Sequence, residues 1–418
     1  MTPEAHTTDA YAATVAPDDR TLLDGEASPS PRQTTPTLTR SSTVLPRLET
    51  DGDDVKLVHD GRTRYEPQRL LGEGGMGTVT LAVDHDIDRS VALKQVRRDV
   101  GARGLARFVE EVRTIGRLEH PNIIPIHDVG VDETGNYFFV MKYVEGETLE
   151  SIIEKLAAGD RATHARFTTE VRVQIFIGLL RALAYAHDRG ILHRDLKPAN
   201  VMVGPYGEVV LMDWGVAKPI GEKDLPPDDT LEDPPPNESA TRKRLVQTAA
   251  SSLIGTPAYM SPEQARSSAD LDARSDLYSA CVVFHELLTT RHYLDDVHNV
   301  PAMLLAVMQR ELPGTANVGA WTNTHQGVPP AEYVHFIRHG MQKDPAKRWP
   351  SAQAMIDELE AALEGRVRVQ CPMTFTKRMT REAGRFVDHS PRLAVTTFAI
   401  GGALSLTGLV GLVVTLLA

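Results

Sequence analysis

The hydrophobic pattern of this chain passes from mostly strand-like to mostly helical along its length, and that order limits what it can fold into. Between Tyr65 and Val144, apolar residues come in short Val- and Leu-rich runs. "RLLGEGGMGTVTLAVD", "SVALKQV", "NIIPIHDVGV" and "YFFVMKYV" all read as strands joined by turn residues. The exception is "ARFVEEVRTIGRLEH", where Phe108, Val109, Val112, Ile115 and Leu118 recur at helical spacing until Pro121. Beyond Val144 the pattern is mostly helical, over 168–189, 276–290, 301–311, 331–341 and 351–364, and it closes at Gly365. The expectation is an α+β unit over 61–365, with a small strand-rich lobe (about 65–144) and a larger helical lobe (about 145–365).

The 418 residues suffice for a sizeable core, and the net charge of −11 argues against a nucleic-acid partner. Cys281 and Cys371 are too few for a disulfide framework, which suits a reducing cytosol. Residues 1–60 are rich in Thr, Ser, Pro and Asp, open without an apolar leader, and are expected to stay unstructured. A Pro-rich stretch, acidic and then basic, at 218–245 reads as a long loop insertion. Residues 366–392 form a basic linker carrying Lys377, Arg378, Arg381, Arg385 and Arg392. From Leu393 to Ala418 no charged residue occurs, and about 20 apolar residues suffice to cross a bilayer as a helix. A buried core helix is the competing reading of that run. Its length and basic flank favour a single C-terminal transmembrane helix, with the folded part cytoplasmic at the inner membrane.

Three motifs carry chemistry. Gly72, Gly74 and Gly77, with Val79, fit G-x-G-x-x-G-x-V; such glycines let a backbone approach phosphates. Any glycine-rich hairpin would also match. A strand follows rather than a helix, and no Gly-Lys-Ser/Thr is present, which removes the dinucleotide and Walker readings. Lys94 follows Val91-Ala92-Leu93, where a solvent-facing charge is less expected; a buried ammonium wants an acid, and Glu110 or Glu111 is on offer. In "HRDLKPAN" (193–200), Asp195 can accept a hydroxyl proton, Lys197 can neutralise phosphate, and Asn200 can offer an amide oxygen to a hard cation. Asp213 follows across an expected hairpin, so two oxygen ligands would sit on adjacent strand ends.

In order along about 65–364, the glycine loop, "VALK", a helix Glu, "HRDLKPAN", "DWG", "GTPAYMSPE", "DLYS" and "DPAKRW" resemble the eukaryotic-type protein kinases, and the Gly-Gly-Met-Gly loop is similar to the bacterial Ser/Thr members. The resemblance implies an ATP-dependent enzyme using Mg2+ (or Mn2+) and acting on protein Ser/Thr hydroxyls. It makes Asp195 the catalytic base and Lys197 the γ-phosphate contact. Lys94, paired with Glu111, would hold the α/β-phosphates, and Asn200 and Asp213 would ligate the metal. Val79, Ala92 and Met202 would enclose adenine, with Met141 as gatekeeper and Lys142 to Val144 as the hinge. Lys142 departs from the acid common there, with little consequence expected because the hinge bonds through backbone. Glu263 and Arg348 resemble the buried structural ion pair, and Asp276 the helix anchor beneath the catalytic loop. Thr256 stands where the Ser/Thr branch bonds its catalytic Asp and Lys.

Arg194 resembles the arginine of members whose activation loop is ordered by phosphate. Thr248 is the first candidate acceptor, with Ser251 and Ser252 behind it; ordinary surface hydroxyls are the alternative. Trp214 stands where the family usually has Phe, and is expected to pack under the Glu111 helix and reshape the pocket behind Met141. Small residues four apart in the apolar run (Gly401–Ser405, Ala403–Thr407–Gly411) are compatible with a homodimer. Two rivals stay open: a membrane-tethered pseudokinase scaffold, against which every catalytic position is filled, and a small-molecule phosphotransferase of related fold.

Overall fold

The computed structural model describes residues 42–393 and 395, apart from 52–53, 59–62, 74–76, 98–100, 133, 220–256, 269, 315–316, 324, 367 and 391–392. Gly74, Thr248, Thr256, nearly all of the 218–245 insertion, and the 393–418 run except Leu393 and Val395 lie outside the described residues. So do Ser251, Ser252 and residues 1–41. Among the described residues, no helix is long and apolar enough to cross a membrane.

A short hairpin comes first, β1 (Arg47–Asp51) antiparallel to β2 (Asp54–Val58). The expectation that 1–60 stays unstructured is therefore corrected at its C-terminal end. "RLETDGDDVKLV" is polar on average, yet apolar and charged residues alternate around an Asp-Gly. The preceding segment is tied down too, since the Val44 and Leu45 N–H groups donate to Asp86 Oδ1 (2.9 and 3.0 Å).

The small lobe is a five-stranded antiparallel sheet in the order β3-β4-β5-β7-β6, from β3 (Tyr65–Glu73), β4 (Gly77–Asp84), β5 (Arg89–Val96), β6 (Ile126–Val131) and β7 (Tyr137–Lys142). One helix, α1 (Gly101–Ile115), crosses between β5 and β6 and buries Phe108 and Ile115. Register decides what the sheet presents. Val79 pairs with Lys94, Lys94 with Phe139, and Ala92 with Met141. Side chains two apart share a face, so Ala92 and Lys94 project together, alongside Val79, Phe139 and Met141.

The large lobe begins with β8 (Glu147–Thr148), α2 (Leu149–Ala157) and α3 (Arg161–Arg166). The long α4 (Thr169–Asp188) follows, capped by the Thr168 hydroxyl. Then come the strand pairs β9 (Ile191–Leu192) with β12 (Lys218–Pro219), and β10 (Val201–Val203) with β11 (Val209–Leu211). The remaining helices are α5 (Pro262–Ala265), α6 (Ala273–Thr289), α7 (Val300–Gln309), α8 (Val318–Trp321), α9 (Ala331–Gly340), α10 (Ala352–Leu363) and α11 (Pro372–His389). The five longer expected helices form with ends shifted by a few residues; α2, α3, α5 and α8 were not read from the sequence. Helix α6 is buried all round, from Leu277 and Tyr278 to Phe284 and Leu288, so it is the axis of the lobe rather than a surface element. Phe284 stacks on Phe176 of α4 with ring centroids 4.1 Å apart. The basic linker is also more than a connector, because most of it is helix α11.

Candidate active site

Between the two lobes lies a cleft of about 1190 Å³. The sheet supplies its roof with Gly72, Gly77, Val79, Ala92 and Lys94, and Met141 to Val144 form its back edge. Asp195, Lys197, Asn200, Met202 and Asp213 form the floor. Every described residue expected to touch nucleotide or metal lines this one space.

Lys94 Nζ lies 2.6 Å from Glu111 Oε1 and 3.7 Å from Asp213 Oδ1. The choice left open between Glu110 and Glu111 falls to Glu111, which is buried. Burial alone would neutralise both partners. For Lys94 the charges and hydrogen bonds of Glu111 and Asp213 outweigh it and hold the ammonium above its ordinary value. Burial pushes the Glu111 carboxyl upward in turn. We take the ionised pair as the operative form, since a charged Lys94 this close favours the carboxylate. Glu111 Oε2 makes no hydrogen bond, so the pair is satisfied on one side only.

On the floor, Lys197 Nζ donates to Asp195 Oδ2 at 2.9 Å. Asn200 Nδ2 donates to the Asp195 carbonyl at 2.9 Å, which employs the amide as donor and leaves its oxygen as acceptor. Val201 pairs with Leu211, and the Met212 N–H donates to the Asn200 carbonyl at 2.9 Å. Asn200 and Asp213 thus leave the β10–β11 hairpin side by side, as the spacing implied. Two hard oxygen donors in one open cleft suit a cation that binds phosphate. Arg194 (φ 68°) and Asp213 (φ 58°) both hold left-handed backbone, which side-chain-bearing residues seldom adopt.

The loop rests on Asp276. Its Oδ2 accepts the His193 N–H at 2.8 Å and its Oδ1 the Arg194 N–H at 2.9 Å, while His187 Nε2 lies 2.8 Å from Oδ2. Burial opposes the Asp276 charge most strongly, but His187, His193 and the Arg194 N–H together keep its pKa depressed. Ser275 next to it donates to Glu263 Oε1 at 2.7 Å, and Glu263 takes both ends of the Arg348 guanidinium at 2.6 and 2.8 Å. Gln264 reaches the same loop, donating to the Arg194 carbonyl at 2.9 Å. His187 and Gln264 were not singled out from the sequence. For Gln264 a signal existed, the capping box of Ser261 and Gln264 around Pro262-Glu263. For His187, on α4 and 89 residues from Asp276, there was none.

Two readings change. Gly77 does more than clear room for phosphate, because a Cβ there would collide with the Gln95 carbonyl of β5, whereas one at Gly72 meets nothing. Trp214 does not itself line the cleft. The wall passes from Asp213 to Gly215, and Trp214 is 1% exposed beneath it, edge-on to His193 with ring centroids 4.7 Å apart. Its indole N–H makes no hydrogen bond.

Residues 65–359 match the protein kinase domain family. The chain belongs to that family. Its relatives include the serine/threonine-protein kinase PknD of Protochlamydia amoebophila, 33% identical over 73% of this chain and 30% of that protein. A probable serine/threonine-protein kinase of Streptomyces coelicolor is 34% identical over 79% of this chain and 44% of its own length. For PknB of Mycobacterium tuberculosis the figures are 32%, 71% and 42%. The chain therefore spans less than half the length of these curated relatives. Protein kinases generally use ATP and a divalent metal, and the oxygen donors and the half-buried Lys94 of this cleft fit both.

Proposed function

We propose that the chain is an ATP-dependent Ser/Thr protein kinase of bacterial signal transduction, able to phosphorylate itself. The observation that carries this reading is the single cleft that unites the Lys94–Glu111 pair, the Asp195–Lys197 pair, and the oxygens of Asn200 and Asp213. In this reading Lys94, positioned by Glu111, binds the α/β-phosphates. Val79, Ala92 and Met202 enclose adenine against Met141 and the Lys142–Val144 edge. Asp195 takes the proton of the acceptor hydroxyl, and Lys197 offsets charge on the transferred group. Asn200 and Asp213 would hold Mg2+ or Mn2+, which supplies neutralisation of phosphate charge. Glu263, Arg348 and Asp276 keep the catalytic loop in place. Catalysis of this kind is mainly positioning and electrostatics.

Ser/Thr preference is supported by Lys197 within D-L-K-P-x-N and by the names of the relatives. Phosphorylation of Thr248 is proposed as the activating event, read through Arg194. The charge-free run 393–418 and its basic flank support a single-pass anchor in the inner membrane, and its small-residue spacing is compatible with a homodimer. The experiment is phosphoamino-acid analysis after incubation with labelled ATP. Phosphoserine and phosphothreonine in wild type, lost in Lys94→Met, are the expected outcome. Label on neither residue, with ATP still bound, would instead indicate a pseudokinase scaffold.

A further inference from the structure

Helix α11 has two unlike faces. On a helix of 3.6 residues per turn, Thr374, Lys377, Arg381 and Arg385 fall within about 80° of arc, and this is the face turned to the large lobe. Thr374 is 1% exposed, Lys377 pairs with Glu332 of α9, and Arg385 donates to the Glu364 carbonyl at 3.0 Å. Phe375, Met379 and Phe386 fall within about 40° of one another, centred some 140° away. They are 52%, 49% and 43% exposed, on the side of the helix away from the protein. Apolar side chains of this size aligned along a docked helix mark a surface that something covers.

Two facts identify the occupant. The helix carries Lys377, Arg378, Arg381 and Arg385 against Glu382 and Asp388, a positive element in a chain of net charge −11. It ends at His389, and the charge-free run starts at Leu393. Four residues span at most about 14 Å. If that run enters a bilayer, the end of α11 lies at the headgroups, where aromatic and Met side chains enter the acyl boundary and Arg378, half exposed on the flank between the two faces, can meet anionic lipid.

We propose that α11 is a membrane-surface element: Phe375, Met379 and Phe386 insert into an anionic bilayer while the opposite face grips the kinase lobe, fixing how the lobe sits over the membrane. This rests on the anchor reading of 393–418 and adds an orientation that a flexible tether would lack.

The test uses the full chain reconstituted into vesicles of mixed phosphatidylcholine and phosphatidylglycerol, with a tryptophan at Phe375→Trp or Met379→Trp. The native Trp214, Trp321 and Trp349 are buried and give a constant background. Replacing the lipids by chain-brominated forms should remove most of the added emission at 375 and 379. It should leave that of Tyr206→Trp, on an exposed turn, unchanged. Flotation with the vesicles reports the anchor separately. Chains that float while Phe375→Trp stays unquenched overturn the surface proposal and leave the anchor standing. Emission that is unquenched but rises and blue-shifts with protein density identifies a second copy as the occupant, and also overturns it. Chains that do not float overturn both.

Discussion

Replacing Arg348 by Met removes five hydrogen bonds from a buried site. The guanidinium donates to Glu263 Oε1 and Oε2 at 2.6 and 2.8 Å, and to the carbonyls of Gln342 (2.7 Å), Arg274 (3.1 Å) and Lys343 (3.1 Å). It also lies 4.9 Å over the Tyr278 ring. Met retains much of the apolar volume but leaves Glu263 with the Ser275 hydroxyl as its remaining side-chain donor. Breaking a buried ion pair from one side costs about 3–5 kcal/mol, and equilibrium urea unfolding followed by tryptophan fluorescence should show that loss. Adding Glu263→Leu should recover part of it, because no carboxylate is then stranded, although the three carbonyls remain without their donor. The pair also predicts an acid dependence. Burial works against the Glu263 charge, but the hydrogen bonds and charge of Arg348 hold its pKa below the ordinary value. Its stabilisation is therefore complete above the unfolded-state pKa of about 4.3 and disappears as pH falls through the lower folded value. The double variant should lack that component. A loss under about 1 kcal/mol for Arg348→Met, or a double variant that loses the sum of the singles, would show that Glu263 and Arg348 are not a coupled buried pair.

Asp276→Asn replaces an acceptor of two loop N–H groups by an amide; turnover should fall on the order of 10²-fold with the KM for ATP little changed, measured by steady-state kinetics. Gly77→Ala should lower the melting temperature and weaken ATP binding, because β4 must move off β5, while Gly72→Ala should melt like wild type. Trp214→Phe should retain most phosphotransfer, since its indole N–H bonds nothing and its ring stays out of the cleft; a near-total loss in a peptide assay would give the indole a chemical role.

The floor of the site was legible because its chemistry is local. Asp195, Lys197 and Asn200 lie within six residues, and a short hairpin brings Asp213 beside them. The two-lobed architecture was legible because a strand-rich segment precedes a mostly helical one. What the sequence hid was non-local or compositional. The Gln95 carbonyl that makes Gly77 necessary sits on the next strand, and which of two neighbouring glutamates meets Lys94 depends on how α1 rotates against the sheet. His187 reaches Asp276 only once α4 and α6 are packed. The β1–β2 hairpin escaped because its polar average masks an alternation of period two. Trp214 could be recognised as an aromatic in a metal-binding turn, but its distance from the cleft wall is set by His193 and the surrounding core.

In the proposed reaction Asp195 is the group that accepts the hydroxyl proton. The most direct measurement is transfer of labelled γ-phosphate from ATP to protein by wild type and by Asp195→Asn, with nucleotide binding followed in parallel. Binding should be comparable in the two, with transfer by the variant reduced to background. Transfer by Asp195→Asn at the wild-type rate would mean that another group takes the proton.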